Sequence, residues 1–474
     1  MKFSKHKLIT ILDKEKREEE RRFVAECESV SLSQETLLET CLERLPAPWL
    51  NALNTVGLGL PETTRSRTAV KQVTNFLLNE NGLHSLLEEL PDSSLRIITA
   101  LAENQLALPI DRLLESFSLP DEFSADWIHR PPLSSLGLLR LSGLVYVFSS
   151  ENTRMAFIPP DLAINLGRAG AIEKPNTSQA DNILYIKQQE NRGSIKDDPD
   201  FPGHNTVHLF DVAREYLQEE REYAAENLLR RLLRFHDTDP EMISEICQEL
   251  GLIYYRRNDC IPAYRLLVKS LERDPAQPLS LLTAGLILNR YGSSLTAHTF
   301  LKKAYDLDPH SPHIQSEYAF SLAEQYADPQ AIELSKEAAE DSPKYLFNYI
   351  SVLREFNQFD KALQTVESAR NRGIDDEHIH EIEDLIHRTI QMKEEIADFS
   401  EPDVESLYQI YLEHHSASGD SAPCLYRKTF AGLQNRYSRL LKQVDYGIPI
   451  TAVDMKEIYE TGIRLKEFSD PDIL

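Results

Sequence analysis

One spacing constrains the fold of this chain more than any other feature. From Phe210 onward, Gly251, Gly285 and Ala319 recur at intervals of 34 residues. Ala263, Ala297 and Ala331 keep the same interval, and so do Pro275, Pro309 and Pro343. A fixed period of this length marks one supersecondary unit that cannot bury its apolar face alone and must stack on its neighbours. The residue types say what the unit is. Gly251, Gly285 and Ala319 let one helix press on the next, and Ala263, Ala297 and Ala331 supply the matching small face. The prolines follow Asp274, Asp308 and Ser342, where a prolyl ring closes one helix and opens the turn to the next. Large residues fill the space between: Leu250, Tyr254, Leu267 and Leu271, then Leu288, Leu301 and Tyr305, then Tyr318 and Leu322. The pattern predicts two antiparallel helices per unit.

This spacing resembles the tetratricopeptide repeat (TPR) family. The family's small residue, tyrosine-like core residue, second-helix alanine and closing proline fall on Gly251, Tyr254, Ala263 and Pro275. They fall next on Gly285, Leu288, Ala297 and Pro309, then on Ala319, Leu322, Ala331 and Pro343. The large residue favoured early in the first helix is replaced by Cys247, Leu281 and Gln315. A preceding unit fits at a looser spacing of 38, with Ala213, Tyr216, Ala225 and Leu229 in place and Asp237 where proline is expected. Ala362 follows Ala331 by 31, so a later unit needs a shorter first helix or turn. The resemblance covers His208 to Gly373. It implies a solenoid whose first helices line a concave groove that holds a peptide or amphipathic helix of another protein. The groove positions it implies are Gln248, Leu252, Tyr255 and Arg256; Leu282, Leu286, Asn289 and Arg290; and Ser316, Phe320 and Ala323. Arg256 and Arg290, one repeat apart, form either a short cationic ladder for an acidic partner or pairs with carboxylates such as Asp259 and Glu324. The lysine and asparagine set with which some members clamp a terminal carboxylate is absent.

The expected organisation is mostly α. It comprises an N-terminal helical region (1–90), a winged-helix-like small α+β domain (91–168), a linker (169–205), the repeat array (206–398) and a C-terminal helical cap (399–474). Met1 to Arg22 is charged and lacks an apolar leader core. Ser94 to Ala102, Pro109 to Phe117 and Ser134 to Ser142 read as three short helices. Leu144 to Phe148 and Met155 to Ile158 then read as a β-hairpin. Three helices and a hairpin is the order of a winged-helix domain, which this stretch resembles in pattern only. Gly170 to Asn205 is poor in apolar residues and rich in Pro, Gly and Asn, as linkers are. Glu405 to His414, Leu425 to Val444 and Ile450 to Phe468 are amphipathic, and are expected to cap the last repeat in preference to filling the groove.

Composition narrows the function. With 51 basic and 76 acidic side chains the formal net charge is −25, a field that repels phosphate backbones and anionic lipid. In the winged-helix-like stretch the would-be recognition helix offers only Arg140 and the wing only Arg154, too few cations for a DNA footprint. The five cysteines (Cys27, Cys41, Cys247, Cys260, Cys424) lie far apart, which suits reduced thiols in the cytoplasm and encodes neither a disulfide frame nor a thiolate zinc site. No stretch of 18 apolar residues occurs. Phosphate-cradle, nucleophile-elbow and HExxH zinc motifs are missing, so no cofactor and no catalysis are expected. His380, Asp384 and His387, beside His378 and Glu383, share a helix face at metal-compatible spacing, although the pattern suits a solvated face better. His414 and His415 are adjacent and point apart. The expectation is a cytoplasmic protein-interaction scaffold. The second reading is a transcriptional regulator with a winged-helix DNA-binding unit and a repeat array as its sensor.

Overall fold

A computed structural model of the chain describes residues 23–25, 27–28, 36–172, 206–234, 240–373, 379–387 and 390, apart from residues 64, 120–125, 151–152, 292, 327 and 357. Met1 to Arg22, most of the expected linker, Asp237, His378, His414, His415 and the expected C-terminal cap lie outside the described residues. The chain divides into two compact units, Glu15–Leu307 and one that begins at Asp308.

In the first unit, α1 (Leu38–Arg44) begins where the Asp161 carboxylate accepts the Leu38 N–H at 3.0 Å. α2 (Ala47–Ala52) runs on into a π-helical turn, Leu53–Gly57. α3 (Ser66–Leu78) buries Ala69, Val70, Val73 and Leu77, the stripe that a 3.6-residue period puts on one face. α4 (Glu80–Glu89) is capped by the Asn79 side chain, which accepts the N–H groups of Asn81 and Gly82 at 3.0 and 3.2 Å. There follow α5 (Asp92–Glu103), β1 (Ala107–Pro109), α6 (Ile110–Phe117), α7 (Ser135–Leu141), β2 (Tyr146–Ser150), β3 (Thr153–Phe157) and α8 (Pro160–Arg168). The three helices and the hairpin stand where their patterning predicts. The strands form an antiparallel sheet in the order β1-β3-β2, with Phe157 opposite both Ala107 and Tyr146. β1 had no sequence signature because three residues are too few to alternate, and Gln105 and Leu106 enter it at φ 58° and 68°.

The repeats follow as helical hairpins. α9 (Thr206–Gln218) pairs with α10 (Glu222–Leu233), α11 (Pro240–Arg256) with α12 (Cys260–Arg273), and α13 (Pro278–Arg290) with α14 (Ser294–Leu307). The glycines have the predicted role. A Cβ on Gly251 would lie 2.8 Å from Leu267 Cγ and 3.3 Å from the Ala263 carbonyl oxygen, and one on Gly285 would lie 3.0 Å from Leu301. Ala213, Ala225, Ala263 and Ala297 are fully buried at the matching positions.

The second unit continues the period with α15 (Pro312–Tyr326) and α16 (Gln330–Asp341), where Ala319 and Ala331 are fully buried. After a 3₁₀ turn at Pro343–Tyr345 come α17 (Leu346–Glu355) and α18 (Phe359–Asn371). At 10 residues α17 is the shortest first helix of the array, which accounts for the interval of 31 before Ala362. Its core joins Leu346, Ile350, Leu353, Ala362 and Val366 to Ile379, Ile382 and Ile386, residues of a further helical segment.

Candidate protein-binding site

Each hairpin of the first unit offers two faces, and in the first two hairpins the second-helix face is already covered from within the chain. α10 and α12 carry a row of cations that meets α4, α5 and the π turn. Arg265, 1% exposed, donates through Nη2 to the Gly57 carbonyl and the Ser142 hydroxyl, both at 2.7 Å, and its Nη1 stands 3.6 Å from Glu89. Burial pulls its pKa down while Glu89 supports the charge. Lys269 donates to the Glu88 carbonyl at 2.6 Å, and Arg230 to Glu89 at 3.0 Å. Arg234 pairs with Glu88 at 2.8 Å and Arg273 with Asp92 at 3.1 Å. One hydrophobic core then runs from Trp49, Trp127, Leu138 and Leu141 through to Ala225, Leu229, Ile261 and Leu267. A partner arriving on this face would have to displace the chain's own N-terminal helices.

The first-helix face is different. Along α11 the residues Glu245, Gln248, Glu249, Leu252, Tyr255 and Arg256 repeat at intervals of three and four and so share one stripe. On α13, which packs beside α11, the equivalent stripe is Leu279, Leu282, Thr283, Leu286, Asn289 and Arg290. Leu252 and Leu286 are partly exposed, and Leu279 is 48% exposed. Gln248 accepts from the Ser280 hydroxyl at 3.0 Å, while Tyr255 and Asn289 are half-buried. Leu282 and Ser316, expected in the groove, are instead buried at 1% and 0%, and Ser316 accepts from Asn348 Nδ2 at 2.9 Å. Ala323 is likewise buried. Phe320, in the second unit, is partly exposed.

The expected cationic ladder does not stand free. Arg256 pairs with Glu222, one period back, at 2.6 Å, in place of Asp259. Arg290 donates through Nη1 to Asn258 and to the Cys260 thiol, the latter at 3.3 Å. Arg214 on α9 is paired with Glu245 at 2.9 Å. Sequence reasoning missed Glu245, Glu249 and Leu279, although all three lie on the same stripes one turn earlier. Among the described residues, no hydrogen bond or ion pair reaches the Glu249 carboxylate. Burial, the largest influence, holds its pKa above the usual carboxylate range; Arg214 and Arg256 oppose the rise and Glu245 adds to it.

Two other groups of residues are spoken for. Arg140 and Arg154, the cations that a DNA-binding reading needs, both clamp Glu28 at 2.8 Å, and Glu28 is 3% exposed. Arg140 also lies over Trp49 and Trp127, which stack at 4.4 Å with 7° between their planes. The cavity beside them, about 20 Å³, has room for about one water molecule. At the helix face of His380, Asp384 and His387, Arg370 donates to Glu383 at 3.0 Å and meets His380 Nδ1 at 2.9 Å. Its guanidinium occupies the place of a cation, and among the described residues no group of three ligands is poised for a metal.

The described hairpins and their period define the fold class: mostly α, with TPR-like helical hairpins and a small sheet-bearing N-terminal part. No family model matches the chain, and no curated protein matches it. Among solved structures it is similar to the thermophilic TPR protein TTC0263 of Thermus thermophilus, at 16% identity over 38% of this chain and 98% of that one, with a TM-score of 0.30. It is similar also to a tetratricopeptide repeat protein from Parabacteroides merdae ATCC 43184, at 14% identity over 54% and 98%, TM-score 0.34. A third is MamA of AMB-1, at 18% identity over 35% and 90%, TM-score 0.29. The class rests on this chain's own hairpins and spacing, not on those scores.

Proposed function

We propose that the protein is a scaffold that holds a peptide or helix of another protein on the first-helix face of its repeats. The observation that carries this reading is the division of labour between faces. The second helices α10 and α12 are committed to the N-terminal helices through Arg230, Arg265, Lys269 and Arg273. The first helices α11 and α13 keep Leu252, Leu279 and Leu286 within reach of solvent. An apolar stripe at three- and four-residue spacing suits a helix or extended peptide laid across it. The winged-helix-like stretch 91–168 then serves as a packing module, with Arg140 and Arg154 turned inward on Glu28. Cys41, Cys247 and Cys260 are buried thiols outside any disulfide, as suits work in the cytoplasm. Among the described residues no helix is long and apolar enough to cross a membrane.

The test is site-specific photocrosslinking in cells of the native host. A photoreactive residue at Leu286 is expected to give protein adducts that disappear when Leu252→Asp is added, while the same residue at exposed Arg112 gives none of them. Identical adducts from both positions, or none from Leu286, would overturn the reading.

A further inference from the structure

The groove's charges carry the reading further, to the chemistry of the partner. This inference rests on the first-helix face being the binding surface. Every arginine on that face within the first unit already has a protein acceptor: Arg214 has Glu245, Arg256 has Glu222, and Arg290 has Asn258. These cations are engaged and have little left to offer an acidic ligand. The carboxylate of Glu249 is in the opposite position. It is half-buried between those ion pairs, one helical turn from Leu252, and nothing among the described residues donates to it. A carboxylate taken partly out of water without a donor costs free energy that an incoming cation would recover. Leu252 stands one turn on along the same stripe, and Leu279 and Leu286 lie on the equivalent stripe of the adjacent α13. The whole chain, at net charge −25, also steers cations inward over a longer range.

We infer that the groove takes a cationic amphipathic segment of a partner protein, whose leucine-like side chains rest on Leu252, Leu279 and Leu286 while a lysine or arginine meets Glu249. The segment's apolar residues supply most of the contact area. Its cation supplies the selectivity, because an acidic or neutral segment would leave Glu249 buried without a donor.

The experiment uses the full-length chain and three fluorescent 18-residue peptides of leucine interspersed with lysine, glutamine or glutamate, titrated by anisotropy at about 150 mM salt, where the screening length is about 8 Å. The lysine peptide should bind at least about tenfold more tightly than the glutamine peptide, and the glutamate peptide least, which is the scale of one charge-assisted hydrogen bond. Glu249→Gln, which keeps the shape and removes the charge, should weaken the lysine peptide about tenfold and leave the glutamine peptide unchanged. Glu367→Gln, an exposed acid elsewhere, should change neither and so separates a local contact from general attraction. Circular dichroism of each variant checks that it is folded. Equal binding of lysine and glutamine peptides, or indifference of the lysine peptide to Glu249→Gln, would overturn the cationic partner and leave the groove standing. If Leu286→Asp, correctly folded, weakens none of the peptides, the first-helix face itself is wrong.

Discussion

At the residue scale, Glu249 sets a pH dependence that separates it from an ordinary surface acid. Burial raises its pKa in the folded chain, with Glu245 adding and Arg214 and Arg256 opposing. A carboxyl whose folded pKa lies above its unfolded one favours the fold below the unfolded value, near pH 4.3. That contribution is lost as pH rises through the folded value, so at pH 7 the ionised group works against folding. Glu249→Gln is therefore expected to raise the thermal midpoint at pH 7 and to leave it unchanged near pH 4. Calorimetry at the two values reads this directly, and a midpoint lowered at pH 7 would mean that Glu249 has a donor after all. Sequence spacing placed Gln248, Leu252 and Leu286 on the partly exposed first-helix stripes but could not weigh Arg256 and Arg290. A charge pattern read along the chain does not show that Glu222 and Asn258, 34 and 32 residues earlier, come to lie beside them.

At the scale of the helix pair, what matters is how closely two helices approach. Gly285 leaves room for Leu301 and for the Ala297 carbonyl oxygen, which a Cβ would meet at 3.0 and 3.4 Å. Gly285→Leu has to push α13 off α14, an overpacking that costs about 1–3 kcal/mol. Thermal unfolding should shift to lower temperature and broaden, because stacked repeats unfold cooperatively through their neighbours. A midpoint and width equal to those of the parent would show that the register assigned to this repeat is wrong. These hairpins were legible from sequence because the periodic signal is local and repeated: Gly251 and Gly285 mark the close approach, and Pro275 and Pro309 the ends. That the unit before Ala362 is shortened was legible too, from its interval of 31 after Ala331, but not that the helix α17 rather than a turn takes the loss. β1 was not, because a strand as short as Ala107–Pro109 exists only through pairing with β3, and no residue within it announces a partner about 50 positions away.

At the scale of the whole molecule, residues 15–307 form one compact unit although sequence patterning separates N-terminal helices from repeats. The reason is long-range chemistry that no local pattern displays. Arg265 sits mid-helix with no local feature to mark it, yet it reaches Gly57 and Ser142, 208 and 123 residues earlier in the chain. Removing it strips donors from two buried acceptors and weakens the support of Glu89. Arg265→Ala is expected to cost about 3 kcal/mol. The loss should appear together in repeat helicity at 222 nm and in the near-ultraviolet signal of the Trp49–Trp127 stack. Separate transitions for the two signals would show that the N-terminal part and the repeats do not share a core. Arg265 also takes the second-helix face of α12 out of competition for a partner, because the chain itself holds that surface.

Hydrogen exchange of the full-length chain, with and without the saturating lysine–leucine peptide, reads both faces at once. The account predicts added protection in α11 and α13 around Leu252 and Leu286, with exchange in α10 and α12 unchanged. Protection gained in α10 and α12 instead, or spread evenly over both faces, would contradict it.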